Sequence, residues 1–355
     1  MDKNEIFELV SKYRKAIMGF AALCIMIFHE WIVVFPMYPI LNIIEAYVKR
    51  ITFFGVDIFF FLSGMGLVFA INKGNLATYY WNRLKRIIVP PTVLLLILLF
   101  VDKWPLKDGL LSFCGFYFYT RSIYVFIWFF TAIVTVYLLF PLYYALFERA
   151  KNKIIFTTEV LIVWLILSIA FSGVMREDLY GFTNRIPIIL LGVLFGWSKD
   201  HVKNRITGSH VMLLCFILIL GLYFAWKTSM QGMYLVVPVS NCCIPNILIT
   251  ISLVPLLAIL MEKRLFKGYL IKVLEFFGTF TFELYCLQEW MGSRFLPDIQ
   301  ARISRPILVN LVNFAMIILA AFILHKLIEV FFKLVESLRN YLGFLKLKKN
   351  AQEIE

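Results

Sequence analysis

His29 and Asp57 each stand in a long apolar run, where an ionisable side chain is costly and so becomes a functional candidate. Helices through these two runs would lie antiparallel in a membrane. His29 would then sit about seven residues from the outer end of the first and Asp57 about six from the outer end of the second, depths of roughly 10 and 9 Å at the helical rise. An imidazole facing a carboxylate has its tautomer fixed and its basicity raised, which suits proton abstraction from a hydroxyl. A satisfied packing histidine is the plain alternative. Of the other histidines, His201 and His210 fall in or beside an inner loop, and His325 falls near the inner end of the last helix. Glu30 follows His29 directly, so it points about 100° away around the helix.

Basic residues cluster at the other side. Arg83 and Arg86 are three apart and share a helical face, with Lys85 nearby, just before Pro90 and Pro91 break the pattern. Such a pair can clamp a phosphate; an ordinary positive-inside anchor is the simpler reading. Arg14 and Lys15 precede His29 by fifteen and fourteen residues, about 60° and 40° to either side of its face at the helix base, and could also attract an anion. Cys286 is a remote candidate for an acyl nucleophile. There is no G-x-S-x-G elbow, no glycine-rich phosphate loop and no metal-ligand spacing.

The elements that must position these groups follow from composition. Of 355 residues, 61% are hydrophobic and 16% charged, far from the balance of a soluble domain. The mean hydropathy is +0.84. At about 20 apolar residues per crossing, ten spans are expected, near 15–36, 51–71, 87–102, 124–147, 154–172, 184–198, 210–226, 235–261, 271–291 and 306–335. Period-2 alternation is absent, so the spans are helices and the fold is an all-α polytopic membrane protein. Lysine and arginine on one side outnumber those on the other by more than two to one, which puts both termini in the cytoplasm. Residues 1–340 form the membrane domain and 341–355 a short basic tail. With the longest loop near twenty residues, no soluble domain is expected, and the chemistry must lie in or beside the bundle. The net charge of +13 is spread in short clusters between apolar runs, which argues for topology and against nucleic acid. The six cysteines read as reduced packing residues, Cys242 and Cys243 being adjacent. The aromatics of 113–130 form an interfacial belt, and Gly192 and Gly196 a close-packing pair.

These landmarks as a set resemble the membrane-bound acyltransferase 3 family over nearly the whole chain. They are AALCIMIFHEW with His29; GVDIFFFLSGMGL in the second span; NRLKRIIVPP at 82–91; WFFTAIVTVYLLFPL at 128–142; NRIPIILLGVLFGW at 184–197; and FFGTFTFELYCLQEW at 276–290. The resemblance implies ten helices in a cell membrane, a cytoplasmic acyl-coenzyme A donor, and O-acylation of a carbohydrate or similar hydroxyl. Two departures stand out. Members commonly carry an arginine eleven residues before the histidine, where this chain has Met18, and a histidine where it has Gln288. Glutamine donates and accepts hydrogen bonds but cannot titrate.

The expectation is therefore a membrane O-acyltransferase moving acetyl from acetyl-CoA to a sugar hydroxyl of a cell-envelope or exopolysaccharide. Arg83, Arg86, Arg14 and Lys15 would meet the coenzyme's phosphates, His29 held by Asp57 would be the base, and Ser63 or a backbone amide would face the oxyanion. Arg185, at the outer mouth of the sixth span, would bind acceptor or pair with a carboxylate, and Gln288 would border the substrate. No metal is expected. Partners would be membrane lipids, a carbohydrate or lipid-linked glycan, and a second copy of the chain in a homo-oligomer. A secondary transporter or flippase, with His29 and Asp57 lining a proton path, and a catalytically inactive scaffold are the rivals.

Overall fold

Short polar caps and prolines set the helix starts. Asn4 accepts from the Phe7 N–H and opens α1 (Glu5–Lys12), while its amide donates to the Ser198 hydroxyl at 3.0 Å. α2 (Arg14–Phe28) follows and ends at His29. Pro39 occupies the first turn of α3 (Pro39–Ile51), and a bend at Thr52 and Phe53 leads into α4 (Phe54–Ile71). Asn75 caps α5 (Leu76–Phe100). Then come α6 (Leu106–Phe113), α7 (Phe116–Thr120) and α8 (Trp128–Arg149). Asn152 accepts from two backbone amides at the head of α9 (Lys153–Ala170). The chain closes with α10 (Glu177–Thr183), α11 (Ile186–His201), α12 (Gly208–Gln231), α13 (Cys243–Glu262), α14 (Gly268–Phe277), α15 (Thr281–Arg302) and α16 (Pro306–Gln352). This computed structural model describes residues 4–30, 32–72, 74–120, 128–171, 176–203, 205–231 and 243–352. Cys242, the 121–127 part of the aromatic belt and the last three residues of the tail lie outside them.

Every element among the described residues is a helix. Seven stretches are long and apolar enough to cross a membrane: Pro39–Ile71, Trp128–Arg149, Lys153–Ala170, Leu179–His201, Gly208–Gln231, Cys243–Glu262 and Pro306–Leu338. The other three expected spans fall on less regular helices. α2 has only 15 residues, the first half of α5 carries Arg83, Lys85 and Arg86, and α14 and α15 are separate helices divided at Gly278–Phe280. The last helix runs without a break past residue 340.

Two local expectations are corrected. The first span does not continue to residue 36, because the backbone leaves the helix at His29 and the Glu45 carboxylate takes the freed Val34 and Phe35 amides, at 2.6 and 2.9 Å. Conversely, Pro90 and Pro91 do not break α5, which runs through them to Phe100. Both prolines are buried, so neighbouring helices hold the backbone where two intrahelical bonds are missing.

α4 is the central helix. In the Pro39–Ile71 stretch 72% of the most apolar window is buried, against 11% in α9 and α12, which therefore form the periphery. Asp57, Phe61, Gly64, Met65 and Val68 recur at helical spacing and turn one face of α4 to α11. There the backbones nearly touch. A Cβ on Gly64 would fall on the Ile189 carbonyl oxygen, and one on Gly192 on the Phe61 carbonyl oxygen. Gly196 packs likewise against Met65, so the G-x-x-x-G is a helix contact, the kind that lipid favours because no hydrophobic force drives helices together there.

Candidate active site

α2 and α4 run antiparallel, and their contacts set the level of every candidate group. Near one end the rings of Phe28 and Phe53 stack at 4.7 Å. Near the other, the Arg14 guanidinium donates to the Leu62 carbonyl at 3.2 Å. His29 thus lies level with the start of α4, and Arg14 lies about two and a half turns further along it.

At the Arg14 end, basic side chains gather around α4. Arg83 of α5 donates to the Gly66 carbonyl at 3.1 Å and lies 6.0 Å over the Tyr137 ring of α8. The Tyr137 phenol interacts with Ser63 and Arg83, and both Arg83 and Arg86 act electrostatically on Arg14. The Arg14 and Arg83 guanidinium groups, from two helices, therefore meet α4 one turn apart, near Ser63 and Tyr137, while Arg86 is exposed beyond them. Arg14 Nε has no hydrogen-bond partner among the described residues although it is buried. Lys15 does not join the group: its side chain is exposed, and its carbonyl packs on Gly278 where α14 meets α2.

At the other end, His29 presents Nε2 to Glu289 Oε1 of α15 at 3.6 Å. That is ion-pair range and slightly longer than a hydrogen bond. Nδ1 has no partner among the described residues. The ring meets Phe28 edge-on, with centroids 4.9 Å apart. Lys49 of α3 donates to the carbonyl oxygen of Glu30, the next residue, and the Glu30 carboxylate accepts from Asn310 of α16 at 3.0 Å. Two outer helices thereby pin the backbone that carries the imidazole.

The expected pairing of His29 with Asp57 does not form. Asp57 is 1% exposed, accepts from Asn246 of α13 at 2.8 Å, and lies 3.4 Å from Arg185 Nε. Arg185 stacks on Phe53 at 4.3 Å and donates to the Gly181 carbonyl. The cause is azimuth. Gly55 faces Ala21 and Ile25 of α2, and Asp57, two residues on, is turned about 200° from it. Of its two expected roles, Arg185 therefore takes the carboxylate pairing. Ser63 is also displaced: it lies ten residues beyond Phe53, roughly 15 Å along α4 from the imidazole's level, beside Tyr137. Gln288 is fully buried, and neither atom of its amide has a hydrogen-bond partner among the described residues.

Between the two ends lies an apolar cavity of about 30 Å³, lined by Ile25, Val56, Phe59, Phe129, Thr281, Phe282 and Tyr285. Ile25 is one turn before His29 and Tyr285 one turn before Glu289, so the cavity sits directly beneath the His29–Glu289 pair. Glu289, Tyr137, Asn246 and Lys49 escaped the sequence reading. For Glu289 the signal was present, an ionisable residue in the FELYCLQEW run; only the packing of α15 on α2 reveals its partner. Among the described residues no three His, Cys, Asp or Glu side chains are placed to hold a metal.

The site is thus a helical membrane bundle with basic side chains at one end and an imidazole–carboxylate pair at the other. The family model Acyl_transf_3, described as an acyltransferase domain, matches residues 16–326. The chain belongs to the acyltransferase 3 family, and it is an acyltransferase of the membrane type. No curated protein and no solved structure matches it.

Proposed function

We propose that the chain is a membrane O-acyltransferase that carries acetyl from cytoplasmic acetyl-CoA to a hydroxyl of a cell-envelope or exopolysaccharide sugar. The observation that carries this reading is the placement of Arg14 and His29 at opposite ends of one 15-residue helix. The helix is roughly 22 Å long, and its Arg14 guanidinium reaches α4 at Leu62, roughly 14 Å from the level of the imidazole, within reach of an extended pantetheine-type arm whose phosphates rest on Arg14, Arg83 and Arg86. The small cavity beneath His29 supports a two-carbon acyl group over a fatty chain. His29 Nδ1 removes the proton of the acceptor hydroxyl, the oxygen attacks the thioester carbon, and the coenzyme leaves as thiolate and takes up a proton. Glu289 stabilises the imidazolium formed in that step. The carbohydrate acceptor, the ten-span topology with both termini inside and the cell-membrane location belong to this reading as expectations of the family.

The test is transfer of labelled acetyl from acetyl-CoA to a panel of surface glycans by purified protein. His29→Ala should bind the coenzyme with unchanged affinity yet lose at least about 100-fold in transfer, the usual share of a general base. Arg83→Ala/Arg86→Ala should weaken coenzyme binding instead. Equal labelling by all three proteins would overturn the assignment, and a transporter would show no coenzyme binding at all.

A further inference from the structure

On the same end of the bundle as His29, a groove of about 500 Å³ opens between the turn after α5 and the second half of α15. Its walls are Val101, Asp102, Lys103 and Trp104 on one side and Trp290, Ser293 and Arg294 on the other. We propose that this groove binds the acceptor as an anionic sugar residue, a pyranose bearing a carboxylate or a phosphate. The assignment rests on the acyl-transfer reading for its role and on the following geometry for its chemistry.

The groove is built. Lys103 adopts a left-handed backbone, φ 54°, and the chain folds back so that the Trp104 N–H reaches the Leu98 carbonyl at 3.1 Å. The Trp290 indole N–H donates to Asp102 at 2.8 Å and ties the two walls together. That bond turns one oxygen of Asp102, the only carboxylate among the lining residues, toward the Trp290 wall. Lys103 and Arg294 have no hydrogen-bond or ion-pair partner among the described residues, so the lining carries two unpaired cations against one carboxylate and favours an incoming anion. The Arg294 fork fits either a carboxylate or a phosphate. Two indoles, Trp104 and Trp290, line the groove beside Ser293, supplying apolar surface for a sugar ring and a hydroxyl for its polar groups.

Its position fits the reaction. Trp290 follows Glu289, the residue facing His29, and Ser293 is one turn further, its hydroxyl bonded to the Glu289 carbonyl at 3.0 Å. A sugar seated here lies against the turn of α15 that follows Glu289. The volume holds one or two rings, within the usual range of small-molecule sites.

The experiment is a titration of the full-length protein in detergent, without donor, followed by indole emission. Three oligosaccharides of equal length are compared, one carrying uronate, one carrying phosphate and one neutral. At least one anionic ligand should bind about ten-fold more tightly than the neutral one, the worth of one charge-assisted contact. The two anionic arms separate carboxylate from phosphate recognition. Lys103→Gln/Arg294→Gln should bring the preference close to unity, and Lys103→Arg/Arg294→Lys should retain it. Should the glutamine variant fail to fold, the wild-type ratios still decide. Equal or absent binding of all three ligands, or a preference that survives the glutamine changes, overturns the proposal. Donor-free binding with no His29-dependent transfer would instead sink the proposed reaction and leave the groove standing.

Discussion

One nitrogen of His29 faces Glu289 at 3.6 Å, and the other has no partner among the described residues. A base in this setting gains from the carboxylate only once it has taken the proton, when an imidazolium and a carboxylate face each other. Glu289→Gln should therefore lower kcat by about 10- to 100-fold with little change in the KM for acetyl-CoA, and Glu289→Asp should fall between. Steady-state kinetics at saturating acceptor measures both; an unchanged kcat in Glu289→Gln would remove the carboxylate from the reaction. Matched depth in two apolar runs was legible from residue spacing, and it pointed to Asp57. Azimuth was not, because which face of α4 meets α2 depends on Gly55 lying against Ala21, a long-range contact that no local pattern reveals. Spacing put Arg83 and Arg86 on one face of α5, but that Arg14 rather than Lys15 turns toward α4 depends on how α2 packs, which spacing does not reveal.

Asp57 and Arg185 meet between helices. Their buried pair, completed by Asn246, joins α4 to the head of α11 and to α13. Removing one partner leaves an uncompensated buried charge, at a cost of about 3–5 kcal/mol, while removing both costs less than the sum. Asp57→Ala and Arg185→Ala should each lower the unfolding midpoint in detergent, and Asp57→Ala/Arg185→Ala should recover part of the loss. Additive midpoint shifts would show that the pair is not coupled. Further along the same interface, Gly64, Gly192 and Gly196 allow the two backbones to touch. The small-residue spacing on α11 was readable as a packing motif, whereas its partner helix was not. The helix stop at His29 was missed for a different reason: apolar residues continue to Phe35, and the Glu45 carboxylate that satisfies the loop lies ten residues further on.

Across the whole molecule, α4 is enclosed by α2, α11 and α13, and the peripheral α9 and α12 present exposed apolar side chains where lipid would lie. The proposed donor end and the imidazole end are separated by the length of α2, so coenzyme and acceptor are predicted to meet from opposite faces of the bilayer. Composition made the helical membrane class legible at once, because so apolar a chain has no soluble solution. The number of crossings was less legible, since α2, α5 and α15 carry charges or stop short in the regions that build the site. The most direct measurement uses proteoliposomes of uniform orientation, with labelled acetyl-CoA confined to the side of the N-terminus and the glycan to the other. Wild-type protein should label the glycan across the membrane and His29→Ala should not. Equal labelling by His29→Ala, or labelling only when donor and glycan share a side, would contradict a single imidazole served from both faces.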